Sequence, residues 1–244
     1  MTDAAVMREL CPTGKLRAAI NLGNSVLAQK DPTTGALKGV TADLARELGK
    51  RLGVDIELIP HDAAGKVFDG AATNAWDIAF VAIEPVRAAL IEFTAPYVII
   101  EGTYMVPKDS PLKAIDDVDR AGVRIAVGLK SAYDLYLSRT IKNATIVHAT
   151  AGGGSAMIDM FVKDKLEVVA GVRQPLEVYA KDHPEVRVMD GHFMEIQQAM
   201  GTPKGRLAAA AYLRVFIEEM KASGFVAEAL KRSNQTASVA PPAK

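Results

Sequence analysis

Two short stretches place glycine and serine just ahead of a predicted helix: Gly128-Leu129-Lys130-Ser131 and Gly152-Gly153-Gly154-Ser155. A helix start offers unpaired N–H groups and the positive end of the peptide dipole, so such a turn can receive an anion. The triple glycine lacks the Gly-Lys-Ser/Thr that would make it a phosphate loop, and it reads as a turn. His61, His148, His183 and His192 are not spaced like metal ligands, and Cys11 is alone, so neither a metal site nor a disulfide is expected. No nucleophile elbow and no nucleotide fingerprint occur, so no cofactor is expected. The polar groups that remain, cations, hydroxyls and amides, carry no metal-binding or nucleotide signature of their own.

The elements that would position these groups alternate between strand and helix. Residues 16–22 read as a strand ending in Asn21, and 39–52 as a helix carrying Val40, Leu44, Leu48 and Leu52 on one face. Gly53 stops that helix, and 54–59 alternate as a half-buried strand does. A short helix over 66–75, a buried strand over 77–82 and a helical turn over 84–90 follow, then a long apolar crossing strand over 98–106. A second series repeats the rhythm: strands at 123–128, 144–148, 166–172 and 186–189, with helices over 131–140, from Ser155 to 163, and over 175–181. Residues 193–200 lead back, and helices over 204–222 and 225–232 close the chain. This order implies an α/β fold of two lobes, each a mainly parallel sheet flanked by helices, joined by two crossings. Lobe 1 is expected over 14–106 plus 199–233 and lobe 2 over 107–198, with hinges near 103–106 and 197–200. The polar, proline-containing residues 234–244 are expected to be a disordered tail.

Lys plus Arg and Asp plus Glu each total 29 in 244 residues, a balance unlike the basic excess of a nucleic-acid binder. No apolar run reaches the ~20 residues of a membrane span, so no stable membrane insertion is expected. The first residues show no charged-then-apolar leader, and Met7-Arg8-Glu9-Leu10 before Cys11 is unlike a lipoprotein signal.

Four short motifs carry a likeness. They are Gly39-Val40-Thr41-Ala42-Asp43-Leu44-Ala45, Trp76-Asp77-Ile78, Glu84-Pro85-Val86-Arg87 with Phe93-Thr94-Ala95-Pro96-Tyr97, and Val127-Gly128-Leu129-Lys130-Ser131. In these, and in segment order from about 16 to 232, the chain resembles the family-3 solute-binding proteins of bacterial ABC importers. The resemblance implies a venus-flytrap, periplasmic-binding-protein-like fold that traps its ligand in the interlobe cleft. It also implies an ABC permease as partner and a periplasmic location; a cytoplasmic one is the alternative where no leader is seen. By the same resemblance Arg87 grips a ligand carboxylate, for which a planar, permanently charged guanidinium is suited. Ser131, with Lys130 beside it, is the implied contact from the second lobe. The plain alternative for Arg87 is a surface arginine on an amphipathic turn.

The departures bear on specificity. Glu84 stands where the family commonly has threonine. Arg173, two before Pro175, stands where amino-acid binders carry the acid that pairs the ligand's ammonium. A cation there would repel an amine, so the sequence favours a small anionic organic solute, a carboxylate, over a free amino acid. The alternative is that Arg173 faces solvent and the ligand is a conventional polar amino acid. Aromatic residues are scarce near 21–26, which leaves Asn21 and Asn24 to line the first lobe, or to build its turn. The expected contact set is Arg87, Glu84, Ile83 and Asn21 from lobe 1 and Ser131, Lys130 and Arg173 from lobe 2, with no catalytic residue. A dehydratase acting on a cyclic carboxylate is the enzymatic alternative, with Glu84 as its acid.

Overall fold

The computed structural model describes residues 3–150 and 153–243. The chain forms two compact units: one runs up to Ile99 and resumes at Gln197, and the other is Ile100–Ile196.

The first unit opens with α1 (Ala4–Leu10), β1 (Leu16–Asn21), the two-stranded ribbon β2 (Gln29–Lys30) and β3 (Leu37–Lys38), and α2 (Val40–Leu52). It continues with β4 (Ile56–His61), α3 (Ala64–Asp69), β5 (Ile78–Ala82), the single turn α4 (Pro85–Ala88) and the start of β6 (Ile91–Pro107). Val40, Leu44, Leu48 and Leu52 of α2 are all buried, as their spacing requires, and Gly53 ends the helix in the left-handed conformation that glycine tolerates. β1 lies parallel to both β4 and β5, and β5 lies antiparallel to a later strand. Across the sheet Ala19, Ala79, Val81 and Ile91 pack with Val67 and Trp76, whose indole N–H donates to the Val67 carbonyl at 2.9 Å.

The second unit holds β7 (Arg124–Gly128), α5 (Ala132–Thr140), β8 (Thr145–Ala149), α6 (Ala156–Lys163), β9 (Val168–Val172), α7 (Arg173–Asp182) and β10 (Val186–Val188). β7 is parallel to β8 and β9; β9 and β10 both run antiparallel to β6. Ile125, Ala126, Val127 and Val168 to Ala170 are buried, as are Leu137, Met157, Ile158, Phe161 and Leu176 of the helices α5, α6 and α7 that pack on these strands. The chain then re-enters the first unit through β11 (Met194–Pro203) and closes with α8 (Leu207–Ala222), α9 (Phe225–Arg232) and β12 (Ser238–Val239).

Four features depart from the sequence reading. The short helix α1 was not foreseen, because only Val6 and Leu10 of its seven residues are well buried. It is fixed instead by Arg206, which donates to the Glu9 carbonyl at 2.7 Å, and by the Glu9 carboxylate, which accepts the Ala209 N–H at 2.8 Å. β6 runs unbroken for 17 residues, so nothing in its composition marks where it leaves one unit for the other. α7 starts at Arg173, two residues ahead of the expected start, with Pro175 accommodated in its first turn. The expected disordered tail is ordered over its described residues: Ser238 and Val239 pair with Ile99 and Val98, Ala240 donates to the Tyr97 carbonyl at 3.0 Å, and Lys221 reaches the Pro241 carbonyl at 2.8 Å. Backbone hydrogen bonds to a strand edge can order a polar segment that has little to bury.

Candidate functional site

In the first unit the candidate residues gather at the carboxyl edge of the parallel strands, where open α/β sheets place ligands. β1 ends at Asn21, β4 at His61 and β5 at Ala82, and Ile83, Glu84 and Arg87 follow directly. Asn21 is buried, and its side-chain oxygen accepts the Gly23 N–H at 3.0 Å, shaping the turn after β1. Gly23 is required there, since a Cβ would stand 2.7 Å from the Asp62 carbonyl oxygen. Ile83 is anchored by its N–H to the Gln197 carbonyl at 2.9 Å.

Glu84 begins the α4 turn, and its carbonyl accepts from Arg87 N at 3.0 Å and Ala88 N at 2.9 Å. Pro85 suits the first helical position, where no N–H is needed. This turn carries the Arg87 side chain back over the end of β5, and a guanidinium nitrogen donates to the Ala82 carbonyl at 3.0 Å. Arg87 is 1% exposed and Glu84 3%. Burial pulls the Arg87 guanidinium down to about 10, and the negative charge of Glu84 holds it up against that pull. At neutral pH it therefore keeps its charge, inside a low-dielectric setting where a carboxylate partner is worth most. At the end of β4, burial lowers His61 from its ordinary range and favours the neutral imidazole.

In the second unit the candidates again share the carboxyl edge, here of β7 and β9. Gly128 ends β7, Lys130 takes the left-handed conformation at φ 58°, and Ser131 is the N-cap of α5. The Ser131 hydroxyl accepts the Asp134 N–H at 3.0 Å and also hydrogen-bonds the buried Tyr133 hydroxyl. Gly153–Ser155 form a 3-10 turn ahead of α6; Gly152 of the triple glycine lies outside the described residues.

Arg173 stands at the end of β9, on the first residue of α7. Its Nε donates to Glu101 at 2.5 Å, a second nitrogen bonds the Gly191 carbonyl, and Glu177 lies 3.5 Å away. Glu101 also faces His192 Nδ1 at 3.2 Å. The positive charge that the sequence reading assigned to a ligand anion is thus answered within the unit itself. The inference from Arg173 to an amine-free, anionic solute loses its physical basis. Glu101 could not have been foreseen, because it is 72 residues away in sequence. Among the described residues no cluster of His, Cys, Asp and Glu could hold a metal ion, and no helix is long and apolar enough to cross a membrane.

The sequence profile of the bacterial extracellular solute-binding proteins, family 3, matches residues 25–235. The chain belongs to this family. It is a solute-binding protein of the ABC-transporter type. Solved structures share the fold at low identity. A mutant of ArgBP from T. maritima is 18% identical with a TM-score of 0.79, over 94% of this chain and 99% of that one. The solute receptor for L-cysteine of Neisseria gonorrhoeae is 17% identical with a TM-score of 0.80, over 95% and 93%. The ancestral amino acid-binding protein AncCDT-1, a precursor of cyclohexadienyl dehydratase, is 21% identical with a TM-score of 0.77, over 94% and 99%. No curated protein sequence matches.

Proposed function

We propose that this protein is the receptor for a free amino acid, delivered to an ABC permease outside the cytoplasm, with Arg87 as the grip on the ligand's carboxylate. The observation that carries this reading is the state of Arg87: charged, almost wholly buried, and held over the end of β5 by the Ala82 carbonyl. A buried guanidinium with donors in a fixed fork pairs bidentately with a carboxylate. Asn21, Ile83 and Glu84 complete the first-unit contacts. Ser131 contributes a hydroxyl and the α5 start contributes its N–H groups, with Lys130 beside them; Arg173 is left to its ion pair with Glu101.

An amino acid accords with this distribution of charge better than an amine-free carboxylate does. Arg173 is compensated, so no surplus cation in the second unit repels an amine, and Glu84 adds negative charge beside Arg87. Solved structures of the same fold include ABC-transporter binding proteins complexed with lysine or L-arginine and a receptor for L-cysteine, ligands of the same class. No bond is made or broken in this reading, and Glu84 serves charge balance rather than proton transfer.

Thermal shift of the purified protein against the L-amino acids and a set of mono- and dicarboxylates is the test. A ligand that binds the folded state alone raises the melting temperature in a concentration-dependent way. Stabilisation by one or a few amino acids supports the proposal. Stabilisation by succinate or a cyclic carboxylate, with none by any amino acid, overturns it.

A further inference from the structure

The turn that carries Lys130 and Ser131 is held by a single buried carboxylate. Asp134 is 4% exposed, and its Oδ2 accepts the Lys130 backbone N–H at 2.7 Å. Its Oδ1 accepts the Ser138 hydroxyl at 3.1 Å and lies 2.8 Å from His148 Nε2 on β8. Its own N–H is the one taken by the Ser131 hydroxyl. Asp134 therefore closes the turn from both ends, through side chain and backbone. Two further bonds bracket the same turn: Leu129 N to the Ala149 carbonyl at 3.1 Å, and Ser131 N to the Gly128 carbonyl at 3.0 Å.

The backbone shows why so firm a hold is needed. Lys130 has φ 58°, in the left-handed region that glycine enters freely and a lysine enters only against steric resistance. Such a conformation persists when its surroundings over-determine it. Here the overdetermining contact is the short bond from Lys130 N to Asp134. The spacing Ser131-x-x-Asp134 places that carboxylate one turn into α5, level with the helix start.

We propose that Asp134, backed by His148 and Ser138, is the positioning residue that forces Lys130 into the left-handed conformation and thereby aims Ser131 and the α5 start at the ligand. The ligand half of this statement rests on the reading of Ser131 under the proposed function; the backbone half does not.

The two halves are separated by a coupling experiment on full-length protein: wild type, Asp134→Asn, Lys130→Gly, and the double variant. Asn keeps the shape of the side chain but loses the carboxylate. Glycine needs no force to adopt a positive φ. Asp134→Asn is expected to lower the melting temperature by about 4 °C and to speed hydrogen exchange of the Lys130 amide at least tenfold. Lys130→Gly on that background is expected to recover at least half of the loss in melting temperature. If Asp134 merely caps α5, Lys130→Gly raises the melting temperature equally in wild type and in Asp134→Asn; a larger gain on the Asp134→Asn background is the coupling that the proposal predicts. Equal gains from Lys130→Gly in wild type and in Asp134→Asn, or unchanged exchange at Lys130, overturn the proposal.

Titration with L-arginine, L-lysine and L-cysteine reads the ligand half. A tenfold loss of affinity in Asp134→Asn, restored by Lys130→Gly, supports it. Unchanged affinity alongside an intact coupling overturns it. If the wild type binds none of the amino acids of the thermal-shift panel, the proposed function fails, and the melting and exchange data still decide what Asp134 does to the backbone.

Discussion

Arg87 and Arg173 occupy corresponding kinds of place, each just past the end of a sheet strand in its own unit, and they differ in what surrounds them. Arg87 is 1% exposed, bonds the Ala82 carbonyl and feels the nearby charge of Glu84. Arg173 keeps 22% of its side chain exposed, and carboxylates of Glu101 and Glu177 and the Gly191 carbonyl surround its guanidinium. A third case completes the series. Arg17 and Arg206 both grip Asp77, which is wholly buried, at 2.9 Å each, and they join β1, β5 and the start of α8. Position along a strand therefore does not give an arginine its role. Its surroundings do: Arg17 and Arg206 share a buried structural anion, Arg173 is partly solvated among local carboxylates, and Arg87 is almost wholly buried at the strand end, where the proposed function puts the ligand's carboxylate.

Substitutions can break this ranking. Arg87→Ala is expected to have the largest effect on binding, about 2–5 kcal/mol, the range for removing one member of a buried charge pair. In a titration that is a loss of roughly thirtyfold or more. Arg87→Ala with unchanged affinity would place the carboxylate grip elsewhere. Asp77→Asn leaves Arg17 and Arg206 without their shared anion and is expected to destabilise the first unit by about 3 kcal/mol, read from denaturant unfolding, with affinity unchanged at temperatures where the protein is folded. Arg173→Ala is expected to lower stability by about 1 kcal/mol or less, since its pair with Glu101 is partly solvated. It should also leave the preference between amino acids and dicarboxylates unaltered. A marked swing in that preference would return Arg173 to the ligand.

The smallest effect expected is a pH dependence from His61. Its folded pKa is depressed by burial, so the unfolded chain binds the proton more readily. Stability from this group is then full above the ordinary imidazole range. It declines as pH falls through that range and levels off once the folded imidazole also protonates. Replacing His61 with Gln should flatten that part of the stability profile, measured by melting between pH 5 and 8; an unchanged slope would assign it to another group.

The elements legible in the sequence are those whose cause is local. The four-residue spacing of Val40, Leu44, Leu48 and Leu52 needs only a helix and a sheet beneath it, and these residues are buried together. The turn over 84–90 was readable in the sequence, and Arg87 within it through the family motif. What escaped was set by residues distant in sequence: α1 is pinned by Arg206 and Ala209, β12 by the edge of β6, and Arg173 by Glu101. The role of Asp134 was half visible in its spacing from Ser131. The left-handed Lys130 that gives this spacing its purpose is a backbone property that no side-chain pattern announces.

The most direct measurement is a calorimetric titration of wild type and Arg87→Ala with the amino acid that gives the largest thermal shift and with its amine-free carboxylate analogue. The account predicts saturable binding of the amino acid, weaker binding of the analogue, and loss of both in Arg87→Ala. Tighter binding of the amine-free analogue, or undiminished binding by Arg87→Ala, would contradict it.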